Sequence, residues 1–206
     1  MKIAVIGATG AVGREIIADL ETSEIKDIEL TLIASPKSAG EKLSFRDKQH
    51  TVEIYSIDAI KGCEYALLSA GGASSKKNAK AIVDEGCTVI DNSSAWRQDP
   101  GVPLIVPEVN GDVLDNLTGA HLITNPNCST IQMVVALKPL KDAFGLEMVE
   151  VATYQSVSGT GQKGMNELAS QVESHFKFEQ ITPEAYAQPI VFNVLPAIDS
   201  FSEEGH

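Results

Sequence analysis

The sequence predicts an α/β fold built on a doubly wound parallel sheet. Three observations carry this: β-branched runs that are apolar throughout, helix-periodic runs between them, and a glycine-spaced turn joining the first such strand to the first such helix. The first strand is "KIAVIG". A glycine turn leads into "AVGREIIADLET", where Val12, Ile16, Ile17 and Leu20 recur at helical spacing. "IELTLIAS" supplies a second strand, and "EYALLSA" and "TVIDNSS" two more. "SSKKNAKAIVDEG" is the helix between those last two, stopped at Gly86. Strands alternating with helices imply parallel pairing, with both sheet faces covered.

Beyond Arg97 the pattern continues with "VPLIVPEV", a short helix in "GDVLDNL" and the strand "HLITN". A helix opened by Asn127 and Cys128 follows, with Ile131, Val134, Val135 and Leu137 on its apolar positions and Pro139 as its limit. "LEMVEVATYQSVSG" reads as a long strand, the first run with two-residue alternation, so a second domain is expected to begin near Asn127. "QPIVFNVLPAIDSFSEEGH" reads as a strand-like segment running into a loop with nothing after it to close a sheet, as in a short chain or a fragment. No internal repeat or low-complexity stretch occurs.

Composition narrows the function classes. The 206 residues are 43% hydrophobic and 5% aromatic, which suits one large or two modest globular domains. Net charge is −12 with no basic run, so neither nucleic acid nor an anionic membrane is an expected partner, and any phosphate must be gripped locally. Cys63, Cys87 and Cys128 form no CxxC pair and have no histidine at metal-ligand spacing, which argues against zinc and against a disulfide framework. The chain opens directly on its first strand without a basic-then-apolar leader and has no apolar run of about 18 residues, so a cytoplasmic location is expected.

Two local features carry chemistry. Gly7, Gly10 and Gly13 space a G-x-x-G-x-x-G turn between a strand and a helix, with Thr9, Ala11 and Val12 between them. This is where backbone N–H groups and the helix N-terminus receive a pyrophosphate, and it makes the fold Rossmann-type. An NAD site places an acidic residue at the end of the second strand to hold the ribose 2′-hydroxyl. Here that strand runs into Ser35-Pro36-Lys37-Ser38 with no acid, and Lys37 with two hydroxyls suits the 2′-phosphate of NADP; a solvated loop lysine is the alternative. In "NPNCST", Cys128 occupies the first turn of a helix, where unpaired N–H groups and the macrodipole favour thiolate over thiol. A buried structural cysteine is the alternative there. A nicotinamide cofactor and an activated thiol in one chain suggest acyl–aldehyde interconversion through a thioester. Cys63 and Cys87 each precede an apolar strand, where a small half-buried residue is expected; His50, His121 and His175 have no motif around them.

Six motifs in order, "GATGAVG", "SPKSAG", "DNSSAWR", "NPNCST", "TYQSVSGTG" and "NVLPAID", resemble the aspartate-semialdehyde dehydrogenase family in its bacterial form, along the whole chain. The resemblance implies NADPH-dependent reductive dephosphorylation of L-aspartyl 4-phosphate to L-aspartate 4-semialdehyde, on the way to lysine, methionine and threonine, by a homodimer or larger assembly. It implies residues 1–126 as the NADP-binding domain and 127–206 as the first part of an incomplete α+β catalytic and dimerisation domain. Carried over by motif, Cys128 is the acyl-thioester nucleophile and Gln155 contacts substrate and helps place the thiohemiacetal. Arg97 grips the acyl phosphate with Asn127 as a second donor. Gly7, Thr9, Gly10, Ala11, Val12 and Gly13 make the pyrophosphate loop, Lys37 and Ser38 the 2′-phosphate site, and Ser158 and Gly159 a contact near the nicotinamide. No metal is implied. The family's general-base histidine and the groups that hold the substrate's carboxylate and amino ends belong beyond the equivalent of His206, so residues 1–206 alone are expected to bind NADP but turn over little. An acyl-phosphate reductase of the N-acetylglutamyl phosphate type is the nearest rival, and a non-catalytic NADP-binding module the rival from another class.

Overall fold

The structure, a computed structural model, describes residues 1–196. In chain order its elements are β1 (Lys2–Ile6), α1 (Ala11–Thr22), β2 (Glu29–Ala34), β3 (Lys42–Phe45), β4 (Lys48–Thr51), β5 (Glu53–Ile54), α2 (Ile57–Ile60), β6 (Tyr65–Leu68), α3 (Gly72–Asp84) and β7 (Thr88–Asp91). There follow α4 (Pro107–Asn110), a 3₁₀ helix (Gly111–Asn116), β8 (Leu122–Thr124), α5 (Cys128–Phe144), a second 3₁₀ turn (Val157–Thr160) and α6 (Gln162–Phe176). The chain divides into two compact units, Met1–Thr153 and Tyr154–His206.

In the first unit six strands lie in the order β5-β2-β1-β6-β7-β8, and every pairing is parallel. The two halves run outward from β1 and β6, the doubly wound order that leaves a crevice at their carboxyl ends. The continuous apolar runs now have a cause. Ile3, Val5, Leu30 and Leu32 pack with Ile17 of α1 on one face, while Ala4, Ile6, Ala66 and Leu68 pack with Ala79 and Ile82 of α3 on the other. Each fully buried Leu or Ile side chain is worth roughly 1.5–3 kcal/mol. In α3 the buried positions Ser75, Ala79 and Ile82 keep helical spacing, and Gly86 follows the helix at φ +84°, in the left-handed conformation that terminates helices. Cys63 and Cys87 precede β6 and β7 as read from the sequence, but both are buried rather than half-buried.

A hairpin not expected from the sequence replaces a helical crossover between β2 and β5. Its strands β3 and β4 pair antiparallel around Arg46 and Asp47, both at positive φ, as a two-residue primed turn requires. The turn is anchored by its own arginine. Arg46 Nη2 donates to the carbonyls of Leu20 (3.1 Å), Ser23 (3.4 Å) and Ile25 (2.6 Å), serving acceptors at and beyond the C-terminus of α1.

Three expectations fail here. Val12 does not join the core face of α1; it is exposed in the first turn, beside the glycine loop. Pro139 does not end α5, which runs five residues past it to Phe144. Proline removes one N–H and crowds the preceding turn, yet Pro139 and Val135, whose carbonyl loses its partner, are both exposed, so water can serve that carbonyl. Replacing Pro139 by alanine is therefore expected to stabilise the chain by about 2 kcal/mol, read as a raised midpoint in thermal or urea unfolding. Finally, the run from 146 to 156 is no strand, although its alternation is real. A strand requires a paired backbone, and no described segment pairs with this one.

In the second unit α6 was not foreseen, although Met165, Leu168, Val172 and Phe176 have helical spacing. Its first turn packs closely under the second 3₁₀ turn, where a Cβ at Gly164 would stand 2.8 Å from the Val157 carbonyl oxygen. Buried Gln171 takes hydrogen bonds from the Ile190 and Val191 N–H groups at 2.8 and 3.1 Å and donates to Glu167, whose other oxygen accepts from Ala185 N–H. The strand expected from Gln188 is turn and coil through Pro196, because those backbone donors go to a side chain instead of a neighbouring strand. The rest of that run, 197–206 with His206, lies outside the described residues.

Candidate active site

The glycine loop crosses the carboxyl ends of β1 and β6. Gly7 sits at φ +95°, and its N–H and that of Ala8 both donate to the Ile33 carbonyl (2.8 and 3.1 Å), tying the loop to the end of β2. Each glycine is needed for a separate reason. A Cβ at Gly7 would stand 2.8 Å from Ala70 N, and one at Gly13 only 2.1 Å from the Gly7 carbonyl oxygen. Gly10 caps α1 without a side-chain bond, so the N–H groups of Ala11, Val12 and Gly13 open onto the crevice with no helical acceptor. The opposite wall is Ser69-Ala70-Gly71-Gly72 at the start of α3, a glycine pair after a strand that sequence reasoning passed over.

Lys37 and Ser38 follow β2 in a turn closed by Ser38 N–H on the Ser35 carbonyl at 3.0 Å, with Lys37 exposed. Arg14, unremarked in the sequence, holds this loop against the glycine loop. Its Nε donates to the Thr9 carbonyl at 3.2 Å and its Nη2 lies 3.5 Å from Glu41 Oε2.

Cys128 is the first residue of α5, three residues beyond Asn125 at the end of β8, and is exposed. Asn127 caps the helix. Its Oδ1 accepts from Ser129 N–H (3.0 Å), Ser129 Oγ (2.6 Å) and Cys128 Sγ (3.8 Å), which leaves its amide nitrogen as the end able to donate to an anion. Arg97, half-buried in the loop after β7, is brought to this corner: Nε donates to the Asn125 carbonyl at 2.8 Å and Nη2 to the Asn92 carbonyl at 3.1 Å. The arginine thus spans the loops after β7 and β8, a role its sequence context did not announce. Its own loop is pinned to α3 by Trp96 Nε1 on Ser75 Oγ at 2.9 Å, with Lys80 over the indole.

In the second unit, Ser158 and Gly159 lie in the 3₁₀ turn before α6, with Ser156 Oγ and Ser158 Oγ 2.6 Å apart, and Gln155 lies just before that turn; all three are exposed. His175 stacks edge-on against Phe176 and Phe192, a packing role. Among the described residues no cluster of metal-ligating side chains occurs, and no helix is long and apolar enough to cross a membrane.

Sheet order, glycine cradle and helix-terminal thiol together define a Rossmann-type nucleotide-binding domain that carries an exposed cysteine on its β8–α5 junction. The model of the semialdehyde dehydrogenase NAD-binding domain matches residues 2–117, and that of the semialdehyde dehydrogenase dimerisation domain matches 137–206. The chain belongs to the semialdehyde dehydrogenase family. It is 46% identical over 208 residues to the aspartate-semialdehyde dehydrogenase of Aquifex aeolicus and 44% identical over 213 residues to that of Bacillus subtilis, in each case over 100% of this chain and 61% of the relative. Its structure matches aspartate semialdehyde dehydrogenase II of Vibrio cholerae, solved in complex with ASA, at TM-score 0.93 and 41% identity, covering 100% of this chain and 61% of that one. The Candida albicans enzyme solved with NADP matches at TM-score 0.62 and 28% identity over 70% of this chain and 48% of its own. The chain thus spans about three-fifths of the length of the curated relatives it matches.

Proposed function

We propose that this chain supplies the NADP site and the nucleophile of an enzyme that converts L-aspartyl 4-phosphate to L-aspartate 4-semialdehyde. The observation that carries the reading is the corner where Arg97 is bonded to the Asn125 carbonyl, three residues before Cys128 under its Asn127 cap. A thiol exposed at a helix N-terminus, beside a guanidinium and an amide donor, suits attack on an acyl carbon whose leaving group is phosphate. Cys128 Sγ forms the bond to the acyl carbon and the C–O bond to phosphate breaks, leaving a thioester. Arg97 and Asn127 take the charge of the departing phosphate. Bound NADPH supplies the hydride for reduction at the aldehyde level. Gln155 orients the resulting oxygen, and loss of Sγ from the thiohemiacetal returns the thiolate and frees the aldehyde.

The cofactor assignment rests on the cradle at Gly7 and Gly13, which a Cβ would fill, and on the N–H groups of Ala11, Val12 and Gly13; the motif resemblance adds Ser158 and Gly159 as the proposed nicotinamide contact. NADP rather than NAD is proposed because Lys37 and Ser38 follow β2 without an acid among them, while Glu41 is engaged by Arg14. Titrating both cofactors should show tighter binding of NADP. Lys37→Ala should remove about tenfold of that preference, the worth of one exposed charge-assisted hydrogen bond; equal affinities in the parent chain would sink the assignment.

We place the functional boundary at Asn127, with residues 1–126 holding cofactor and 127 onward opening the catalytic and dimerisation part, and propose that the complete enzyme is a homodimer or larger. The reaction is tested in reverse with NADP, phosphate and aspartate semialdehyde, and forward with aspartyl phosphate against N-acetylglutamyl phosphate. Residues 1–206 by themselves are expected to bind NADP and turn over little. Preference for the N-acetylglutamyl substrate would overturn the substrate class while leaving the thiol chemistry in place.

A further inference from the structure

We infer that the side chains of Asn92 and Asn125 form a positioning pair that fixes the Cys128 turn against the Arg97 guanidinium; the inference rests on the anion-binding corner proposed above and adds to it the part that sets its geometry. Asn125 Nδ2 donates to Asn92 Oδ1 at 2.7 Å and to the Pro126 carbonyl at 3.1 Å. The backbone carbonyls of these two residues are the acceptors for Arg97 Nε and Nη2. One guanidinium and one amide pair therefore stitch the same two loops, closing a ring through Asn92, Arg97 and Asn125.

The ring is mounted on rigid supports. Asn92 N–H donates to the Leu68 carbonyl at the end of β6 (3.0 Å), and Asp91, fully buried at the end of β7, takes Ser93 N–H and Ser93 Oγ at 3.1 and 2.7 Å. Only Pro126 and Asn127 then separate Asn125 from Cys128, and Pro126 is buried. So short a connector passes the position of Asn125 directly to the first turn of α5. Neither asparagine needs to touch substrate. Their pair removes the freedom of two loops to slide past each other, so the anion donors and the thiol stay at one spacing, which is the kind of alignment on which catalytic geometry depends.

The test uses the 206-residue chain and inorganic phosphate as probe. Iodoacetamide labelling of Cys128 is measured against phosphate concentration, with NADP affinity and thermal midpoint recorded alongside. In the parent chain phosphate is expected to protect Cys128. Asn92→Leu, which removes the acceptor, is expected to raise the half-protecting phosphate concentration roughly three- to tenfold, the range of one lost hydrogen bond, with NADP affinity within about twofold of the parent. Asn125→Ala, which keeps the backbone carbonyl that Arg97 uses, is expected to do the same, and the double variant to add nothing further, because both act through one bond. Should Asn92→Leu not fold, Asn125→Ala alone decides. Parent-like phosphate dependence in folded single variants, or additive losses in the double, would overturn the positioning pair while leaving the anion site intact. Absence of phosphate protection in the parent chain would remove the anion site and this inference with it.

Discussion

Iodoacetamide offered to the chain at pH 7 should modify Cys128 and leave Cys63 and Cys87 unlabelled over the same interval. Cys128 is exposed at a helix start, whereas Cys87 is 1% exposed in the core and its thiol is pushed up to about 12, first by burial and then by the neighbouring Cys63. The sign follows directly: a thiol whose pKa is raised stays protonated until the pH climbs past it. At pH 7 its reactive thiolate fraction is on the order of 10⁻⁵. Burial also raises the pKa of Cys63, against smaller opposing effects of a Thr31 hydrogen bond and Lys2. Peptide mapping after a short exposure reads the result, and Cys128→Ala should abolish rapid labelling altogether. Labelling of Cys87 at a comparable rate in folded protein would contradict the burial on which this argument stands. In the complete enzyme, the same substitution should remove turnover; a Cys128→Ala enzyme with parent activity would end the thioester mechanism.

The second large effect is expected at Gly13. A Cβ there would lie 2.1 Å from the Gly7 carbonyl oxygen and 2.8 Å from the Gly7 carbonyl carbon, and both are backbone atoms that cannot swing aside as a side chain does. Gly13→Ala must therefore push α1 off the loop, at a cost of about 3 kcal/mol. Because the loop is also the proposed pyrophosphate cradle, NADP affinity should fall by more than tenfold along with the thermal midpoint. Ala18→Gly on the exposed side of the same helix is the control, costing about 1 kcal/mol of helix propensity and leaving cofactor affinity unchanged. Wild-type binding and stability in Gly13→Ala would show that α1 does not approach the loop this closely.

Much of this site was legible in the sequence because its parts are local. A glycine at every third position after an apolar strand, a lysine without an acid after the next strand, and a cysteine following an asparagine cap are each written within a few residues of chain. What was not legible is whatever depends on residues far apart. Arg97 and Asn125 are 28 residues apart, Asn92 and Asn125 are 33 apart, and only the pairing of β7 beside β8 brings their loops together. Arg14 and Glu41 likewise meet because β1 pairs with β2. The β3–β4 hairpin was missed because its turn, Arg46-Asp47, lacks the Asn-Gly or Asp-Gly pair that announces a primed turn. Its positive φ angles are held instead by Arg46 bonds to the end of α1.

By itself, then, the sequence determined the parallel α/β sheet, the glycine cradle and the placing of Cys128 at a helix start. Each follows from hydrophobic period and steric permission acting over one strand or one turn. Only the tertiary structure decided that the run from 146 to 156 joins no strand among the described residues, that α5 continues through Pro139, and that Arg97 spans two loops. Those outcomes depend on what a segment finds beside it: a ladder needs a second backbone, a helix keeps a proline where solvent can satisfy the orphaned carbonyl, and a guanidinium goes to the carbonyls that the strand order brings within its reach.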